Sequence, residues 1–499
     1  MRRGVRASSG VDPRPPDVAR SGGSSFSWRG WLVVWLVPLL IVGGLVAALI
    51  ASRPLPALGV GVGDPYYPDA GAPGWDAQAY TVRLALDADL AQLSATTTIT
   101  GIATQDLATV GFDLAYPVTR ATLNGTDVRV VGQGGVNRVA VPPSPLRSGQ
   151  AFTLEVSYAG DPSERLEGDM GDPVVRAQGE LLIAGEPEAS AAWFAANDHP
   201  SDAAFFELYA TVPAEMEAIS VGRLVSRDAD ADPDTATWHW ATDEELAPYL
   251  TFVTAGQFDI EEATSDGRPG VYAVSHLLDS TMRRAALSAL RGTPATIREL
   301  ELRYGPYPFS QIGGVVSGVD PVWAGLETQT RPVYGASLAS DGDWPEYLLA
   351  HELAHMWFGD HVRVATWADI VNNEGWATFA ANEVLARRVG ASMDDELRDV
   401  WGMEPDFWAA PIDDPGVDNM FGTTYERGGA ALQALRVLIG DEEFFALARA
   451  WVQEPGARSF ADFRAFVEDR TDRDLTAFWR AWYTADAAPA RDPSLGWPG

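Results

Sequence analysis

The sequence predicts a multidomain protein in which one transmembrane helix precedes an N-terminal all-β sandwich and a mainly α-helical domain. Three observations predict this order. Residues 30–51 carry no charge, residues 79–257 alternate apolar and polar positions, and residues 258–499 show the helical period. A chain of 499 residues is also too long for one ordinary hydrophobic core.

The composition excludes several classes of protein. The chain has no Cys, and all 36 of its basic residues are Arg. Disulfides, thiolate metal ligands and Cys nucleophiles are therefore absent, as are a P-loop lysine and Schiff-base chemistry. The net charge of −33 repels phosphate backbones, so we expect no nucleic-acid partner.

The N-terminal segment predicts a location at the cell membrane. Residues 30–51 form an uncharged run of 22 residues, and about 20 span a bilayer as a helix. Six Arg precede this run, so residues 1–29 are expected to form a cytoplasmic basic tail and the part of the chain after residue 51 to be extracellular. The alternative is a cleaved signal peptide, whose removal would make the protein secreted. Residues 52–78 are rich in Pro and Gly and predict a linker.

The two parts of the body differ in their periodicity. In residues 79–257, alternating runs such as Phe206, Leu208 and Ala210, together with the hairpin signal Asn124-Gly125, predict short strands of a β-sandwich. In the second part, helical periods are found in residues 279–303, 345–358, 374–389, 428–438 and 459–483.

The strongest chemical signal is the pentapeptide His351-Glu352-Leu353-Ala354-His355. On a helix, side chains four residues apart share one face, so both imidazoles can reach one metal ion, with Glu352 beside it as a candidate general base. A catalytic zinc site has three protein ligands and an open position. Because the chain lacks Cys, the third ligand is a carboxylate or another His.

A second motif supplies a carboxylate at a defined distance. Eighteen residues separate His355 from Glu374 in the string Asn373-Glu374-Gly375-Trp376-Ala377. The spacing resembles that of the gluzincins and, within them, that of the M1 family of zinc aminopeptidases. The chain resembles a short bacterial-type form of this family, without the long C-terminal helical domain. The resemblance implies one Zn²⁺ per chain, the ligands His351, His355 and Glu374, and a thermolysin-like zinc metallopeptidase domain over residues 258–499.

Three further strings are similar to motifs of this family. Residues 324–328, AGLET, resemble its G-A-M-E-N motif, which implies that Glu327 binds the free amine of the substrate. Glu186-Pro187-Glu188 resembles its Q-P-E segment, which implies that Glu188 also contacts the amine and that Glu186 makes the site more acidic. Tyr425, in TYERGGA, resembles the Tyr of Y-x-K-G-A, which implies that it stabilises the transition state.

Together these motifs predict a zinc-dependent aminopeptidase that acts on peptides with a free N-terminus, with Glu352 as general base and Tyr425 stabilising the oxyanion. The expected partners are such peptides and, through residues 30–51, the membrane. Two enzymatic alternatives are a zinc endopeptidase, which gives no reason for Glu327 and Glu188, and an epoxide hydrolase on the same fold. A catalytically dead binding module is the third alternative, although no expected ligand or base has been lost.

Overall fold

The structure is a computed structural model that describes residues 61–164, 172–177, 179–187, 189–229, 232–319, 321, 323–340, 342 and 344–499. The predicted tail of residues 1–29 and the predicted transmembrane helix of residues 30–51 lie outside this set, as does Glu188. Within the described ranges, no helix combines the length and apolar character needed to cross a membrane.

The N-terminal part is built from strands, which confirms its predicted β class. In chain order they are β1 (Trp75–Leu86), β2 (Leu93–Ala103), β3 (Val110–Asp113), β4 (Val118–Leu123), β5 (Thr126–Asp127), β6 (Arg129–Gly134), β7 (Asn137–Val141), β8 (Ala151–Gly160), β9 (Val174–Ala177), β10 (Glu180–Ile183), β11 (Phe205–Pro213), β12 (Glu217–Ser220), β13 (Arg223–Ala229), β14 (Thr235–Ala241) and β15 (Val253–Gly256). They form three sheets, ordered β13-β14-β11-β1-β2-β8-β4-β5, β12-β15-β10-β9 and β3-β7-β6.

Alternation along the strands places one face of the large sheet in the core. In β2 every second side chain is buried, from Leu93 to Ala103, as a sheet with one solvated face requires. Residues from all three sheets share one apolar core. At its centre Trp193, Phe194 and Phe206 pack edge to face, with ring centroids 4.7–5.7 Å apart.

The C-terminal part combines a five-stranded sheet and a two-stranded sheet with helices, which confirms its predicted helical character. Its strands are β16 (Phe258–Ser265), β17 (Arg268–Ser275), β18 (Ile312–Val316), β19 (Gly325–Leu326), β20 (Val333–Tyr334), β21 (Val362–Val364) and β22 (Gly456–Arg458). Its helices are α1 (Ser280–Leu290), α2 (Thr293–Tyr304), α3 (Trp344–Ala354), α4 (Val371–Val389), α5 (Met393–Trp401), α6 (Thr424–Ile439), α7 (Asp441–Trp451), α8 (Phe460–Arg470) and α9 (Thr476–Trp479). The main sheet is ordered β16-β17-β18-β20-β19, and α4 packs against both α3 and α6.

The predicted linker, residues 52–78, is wrong at its C-terminal end. β1 begins at Trp75, and the buried Asp64 accepts hydrogen bonds from the backbone N–H of Trp367 at 2.8 Å and from His199 Nε2 at 3.2 Å. The Tyr66 hydroxyl donates to Asp414 at 2.6 Å. These contacts span 135 to 348 residues of sequence and fix a segment whose Pro and Gly content is typical of a flexible linker.

Candidate active site

Three potential metal ligands converge where α3 ends and α4 begins. His351 lies in the last turn of α3, His355 follows that helix directly, and Glu374 lies in the first turn of α4. The Nε2 atoms of the two histidines are 3.2 Å apart. Glu374 Oε2 lies 3.2 Å from His351 Nε2 and 3.5 Å from His355 Nε2. All three side chains are buried.

The donor set fits a zinc ion. His355 Nδ1 donates to the carbonyl oxygen of Phe358 at 3.1 Å, so its Nε2 carries a lone pair toward the other two donors. Ligand atoms about 2.0–2.1 Å from a tetrahedral zinc lie about 3.3 Å from one another, which matches the observed 3.2–3.5 Å. Two nitrogens and one carboxylate oxygen form a common ligand set of catalytic zinc.

The electrostatics of this cluster favour a positive charge. Burial opposes ionisation of Glu374, yet His355 and His351 lower the pKa of its carboxyl to about 2. Burial lowers the pKa of His355, but Glu327 and Glu374 outweigh it and raise that pKa well above its usual range. Both shifts reflect the attraction between the buried carboxylates and positive charge on the imidazoles.

Glu352 lies beside the ligands without being one of the three. Its carboxylate, that of Glu327 and a ring nitrogen of His355 each place one atom within 4.8 Å of the others. Burial raises the pKa of Glu352, and Glu327 and Glu374 raise it further while His355 opposes them. β19 passes so close that a Cβ at Gly325 would overlap the Glu352 carboxylate. Glycine at position 325 therefore leaves room for this carboxylate.

Two more carboxylates form an acidic pocket next to Glu374. Glu327 directly follows β19, Glu186 follows β10, and one oxygen of each lies within 4.8 Å of one oxygen of Glu374. Both are buried, and burial followed by the neighbouring carboxylates raises the pKa of Glu186. Glu186 Oε1 has no hydrogen-bond partner among the described residues. Glu188, predicted to share this role, lies outside the described residues.

Asn373 connects this acidic pocket to the candidate metal ligands, a role that we did not predict. Its Nδ2 donates to Glu327 Oε1 at 3.2 Å, and its Oδ1 lies 3.3 Å from His355 Nδ1. The side chain is completely buried. Its position next to Glu374 was the only available signal in the sequence, and nothing in that position predicts the two partners.

Tyr425 approaches the site from α6. Its ring stacks on that of His351, with centroids 5.9 Å apart and planes inclined by 25°. Gly375 on α4 and Gly428 on α6 allow this approach, because a Cβ at Gly428 would lie 2.8 Å from the Cα of Gly375. Arg427 points elsewhere and donates to the carbonyl oxygens of Trp482, Ala410 and Ala485 at 2.6–2.8 Å.

These groups line a cavity of about 350 Å³. Its described lining contains no Arg and includes five carboxylates: Glu186, Glu327, Glu352, Glu374 and Glu426. The rest of the wall is largely apolar and is formed by Trp323, Ala324, Leu326, Trp344, Tyr347 and Leu348. The metal ligands, a candidate base, a phenol and an acidic pocket therefore share one cleft. This arrangement defines a mononuclear zinc hydrolase site.

Comparison with known proteins agrees with the site. The family model described as the peptidase family M1 domain matches residues 335–482. An M1 zinc metallopeptidase mutant from Deinococcus radiodurans, solved with a Tyr-Ser-Ala substrate, superposes with a TM-score of 0.76 at 26% identity, covering 87% of this chain and 100% of that one. A mutant of a two-domain M1 zinc metallopeptidase bound to L-arginine gives a TM-score of 0.74 at 27% identity, covering 82% and 94%.

Among curated proteins, aminopeptidase N from Streptomyces lividans is 31% identical over 153 residues, which are 27% of this chain. The chain spans 18% of that relative and 26% of human endoplasmic reticulum aminopeptidase 1, so it matches only a fraction of these longer proteins. The family model and these structures support an M1 family zinc metallopeptidase, and the chain resembles the two-domain members of that family. His351, His355 and Glu374 are its candidate ligands for the single catalytic zinc of this family.

Proposed function

We propose that the protein is a zinc-dependent aminopeptidase that hydrolyses the N-terminal peptide bond of peptides. The observation that carries this proposal is the buried pair Glu327 and Glu186 beside Glu374, in a cavity whose described lining contains no Arg. Buried carboxylates without a cationic partner are costly. The α-ammonium of a peptide N-terminus supplies that cation, whereas an internal peptide bond does not.

The metal and the chain's own residues have separate tasks. His351, His355 and Glu374 would hold the zinc, which would supply a Lewis acid to polarise the scissile carbonyl and acidify water. Glu352 accepts the proton of the attacking water and passes it to the leaving amine. The Tyr425 hydroxyl donates a hydrogen bond to the oxyanion that develops on the carbonyl oxygen.

Glu327 and Glu186 fix the position at which the peptide is cut. An α-ammonium held at these carboxylates would place the carbonyl of the first residue beside Glu352, because one oxygen of Glu327 lies within 4.8 Å of one oxygen of Glu352. Charge-assisted hydrogen bonds to the two carboxylates hold the ammonium strongly and in a defined orientation. The Tyr-Ser-Ala substrate named for the Deinococcus radiodurans structure supports a short peptide as the substrate class.

The products formed by the zinc-loaded protein test this function. A hexapeptide with six different residues should first yield its N-terminal residue and the corresponding pentapeptide, identified by mass spectrometry. Chelation should stop the reaction, and zinc should restore it. Internal fragments as first products would replace the aminopeptidase proposal with an endopeptidase.

For location, we propose that residues 30–51 anchor the protein in the cell membrane, with residues 1–29 in the cytoplasm and the catalytic part outside. The uncharged run of 22 residues and the six Arg that precede it support this proposal. Protease added to intact cells should digest the catalytic part and spare the tail. Recovery of the body from culture fluid, with a new N-terminus near Ser52, would replace the anchor with a cleaved signal peptide.

A further inference from the structure

An aromatic surface extends from one side of the metal site to the rim of the cavity. Trp344 and Tyr347 lie three residues apart on α3, and His351 follows four residues later, so all three occupy one helical face. The rings of Trp344 and Tyr347 stack with centroids 5.6 Å apart and planes inclined by 20°. Tyr347 in turn stacks on His351 at 5.8 Å and 28°. We call Trp344 and Tyr347 the aromatic shelf.

The outer end of the shelf is available for contact. Trp344 is 44% exposed, one of the few large apolar side chains of the described part that are exposed to this extent, and it lines the cavity. Core packing does not account for an indole in this position. An exposed aromatic ring that continues into a catalytic cleft is a typical contact for an apolar ligand group.

The shelf and the acidic pocket lie at different candidate ligands. Glu186 and Glu327 group with Glu374, and Glu327 also groups with His355. The shelf is continuous with His351. A peptide whose ammonium lies at Glu327 and whose first carbonyl lies beside Glu352 would continue toward His351, on which the shelf stacks. Its second residue would then be the first to meet Tyr347 and Trp344.

We propose that the aromatic shelf binds the side chain of the second residue of the substrate and selects peptides with an aromatic residue there. This inference rests on the proposed aminopeptidase function. A Phe or Tyr side chain in that position would stack on Trp344 and bury apolar surface of both rings, whereas Ala would leave the indole exposed. The carboxylates that line the cavity would at the same time disfavour Asp or Glu.

The test compares two C-terminally amidated tetrapeptides that begin with Ala and differ only in Phe or Ala at the second position. We expect the wild-type kcat/KM to be about tenfold higher for the Phe peptide, as the stacking of one aromatic pair allows. Trp344→Ala should reduce this ratio below about threefold, and Trp344→Phe should retain most of it. Leu302→Ala, at an exposed side chain that does not line the cavity, is the matched control and should keep the ratio.

The outcomes distinguish failure of the shelf proposal from failure of the aminopeptidase proposal. Equal wild-type rates on the two peptides, or an unchanged ratio in Trp344→Ala, would overturn the shelf while leaving the aminopeptidase function in place. Failure to release the first residue from either peptide would overturn both. Zinc content and thermal unfolding of each variant show that it is folded, so a reduced ratio reports on the shelf.

Discussion

Gly375 and Gly428 place the backbones of α4 and α6 in direct contact. A Cβ at Gly428 would lie 2.8 Å from the Cα of Gly375, closer than real Cβ atoms approach other atoms, and 3.1 Å from Val371 Cγ2. α4 carries the candidate ligand Glu374 and α6 carries Tyr425. The two glycines therefore set the distance between the phenol and the metal site.

Gly428→Ala should lower kcat by about tenfold or more while the protein stays folded and binds zinc. The added methyl pushes α6 away from α4, and a displacement of about 1 Å at a catalytic group is enough for such a loss. The measurement is steady-state kinetics alongside zinc content. Gly132→Ala is the control, because its added Cβ meets only one atom, at 3.9 Å. Wild-type kcat in Gly428→Ala would show that the helix contact does not position Tyr425.

Glu352→Gln should retain zinc and lose turnover. Glutamine preserves the shape of the side chain but cannot accept the proton of water, and general-base catalysis is typically worth about 10²–10⁴-fold. By contrast, His351→Ala and Glu374→Ala should each lose the metal, because each removes one of three ligands. Zinc analysis and single-turnover kinetics separate these outcomes. A loss below about tenfold in Glu352→Gln would contradict its role as base.

Asn373→Ala should weaken zinc binding about tenfold, the usual effect of removing a group that orients a ligand. Its Oδ1 lies 3.3 Å from His355 Nδ1, and its Nδ2 donates to Glu327 Oε1. The variant should therefore also raise KM for peptides with a free amine, because Glu327 loses its donor. Competition with a chelator measures the zinc affinity. The control is Asn419→Ala, at an exposed residue that ends the short 3-10 helix Val417–Asn419 before α6. Unchanged affinity and KM in Asn373→Ala would reduce Asn373 to a packing role.

The stability of the protein should decrease between about pH 5 and pH 8 in part through Glu396. Burial raises the pKa of this carboxyl from 4.5 to about 7, and Asn382 opposes the shift only partly. A group whose pKa is higher in the folded state favours folding fully below the unfolded pKa and loses that contribution as the pH rises through the folded value.

Glu396→Gln should remove this part of the pH dependence. At pH 8 we expect the variant to be more stable than the wild type by about 2 kcal/mol, and at pH 4 we expect no difference. Denaturant unfolding of both proteins at the two pH values measures the effect. The exposed Glu404→Gln is the control. A wild type as stable as Glu396→Gln at pH 8 would contradict the assignment.

Local sequence was sufficient to predict the groups of the candidate zinc site. His351, Glu352 and His355 lie within one turn, so helix geometry alone places them together, and the spacing to Glu374 matches a known pattern. Strand alternation likewise predicted the β class of the N-terminal part. These features depend on neighbours in the chain or on a motif. In the structure, the candidate ligand atoms of His351, His355 and Glu374 lie 3.2–3.5 Å apart.

Contacts between distant segments were not predictable in the same way. Hydrogen bonds join the Pro- and Gly-rich segment before residue 79 to the rest of the fold, between Asp64 and Trp367 and between Tyr66 and Asp414. These partners are about 300 or more positions apart in the sequence. No periodicity reports such a pairing. Similarly, Arg427 matches a motif position but binds three carbonyl oxygens away from the site. The close approach of Gly375 to Gly428 also depends on how two helices cross.

The requirement for a free α-amine tests the central claim most directly. The measurement is kcat/KM for a peptide and for its N-acetylated form, with the wild type and with Glu327→Ala. Because an acetylated terminus leaves buried carboxylates without a cation, the free peptide should be cleaved at least about 30-fold faster by the wild type, and Glu327→Ala should reduce that ratio. Equal wild-type rates on the two peptides would mean that the enzyme does not recognise the free α-amine and is not an aminopeptidase.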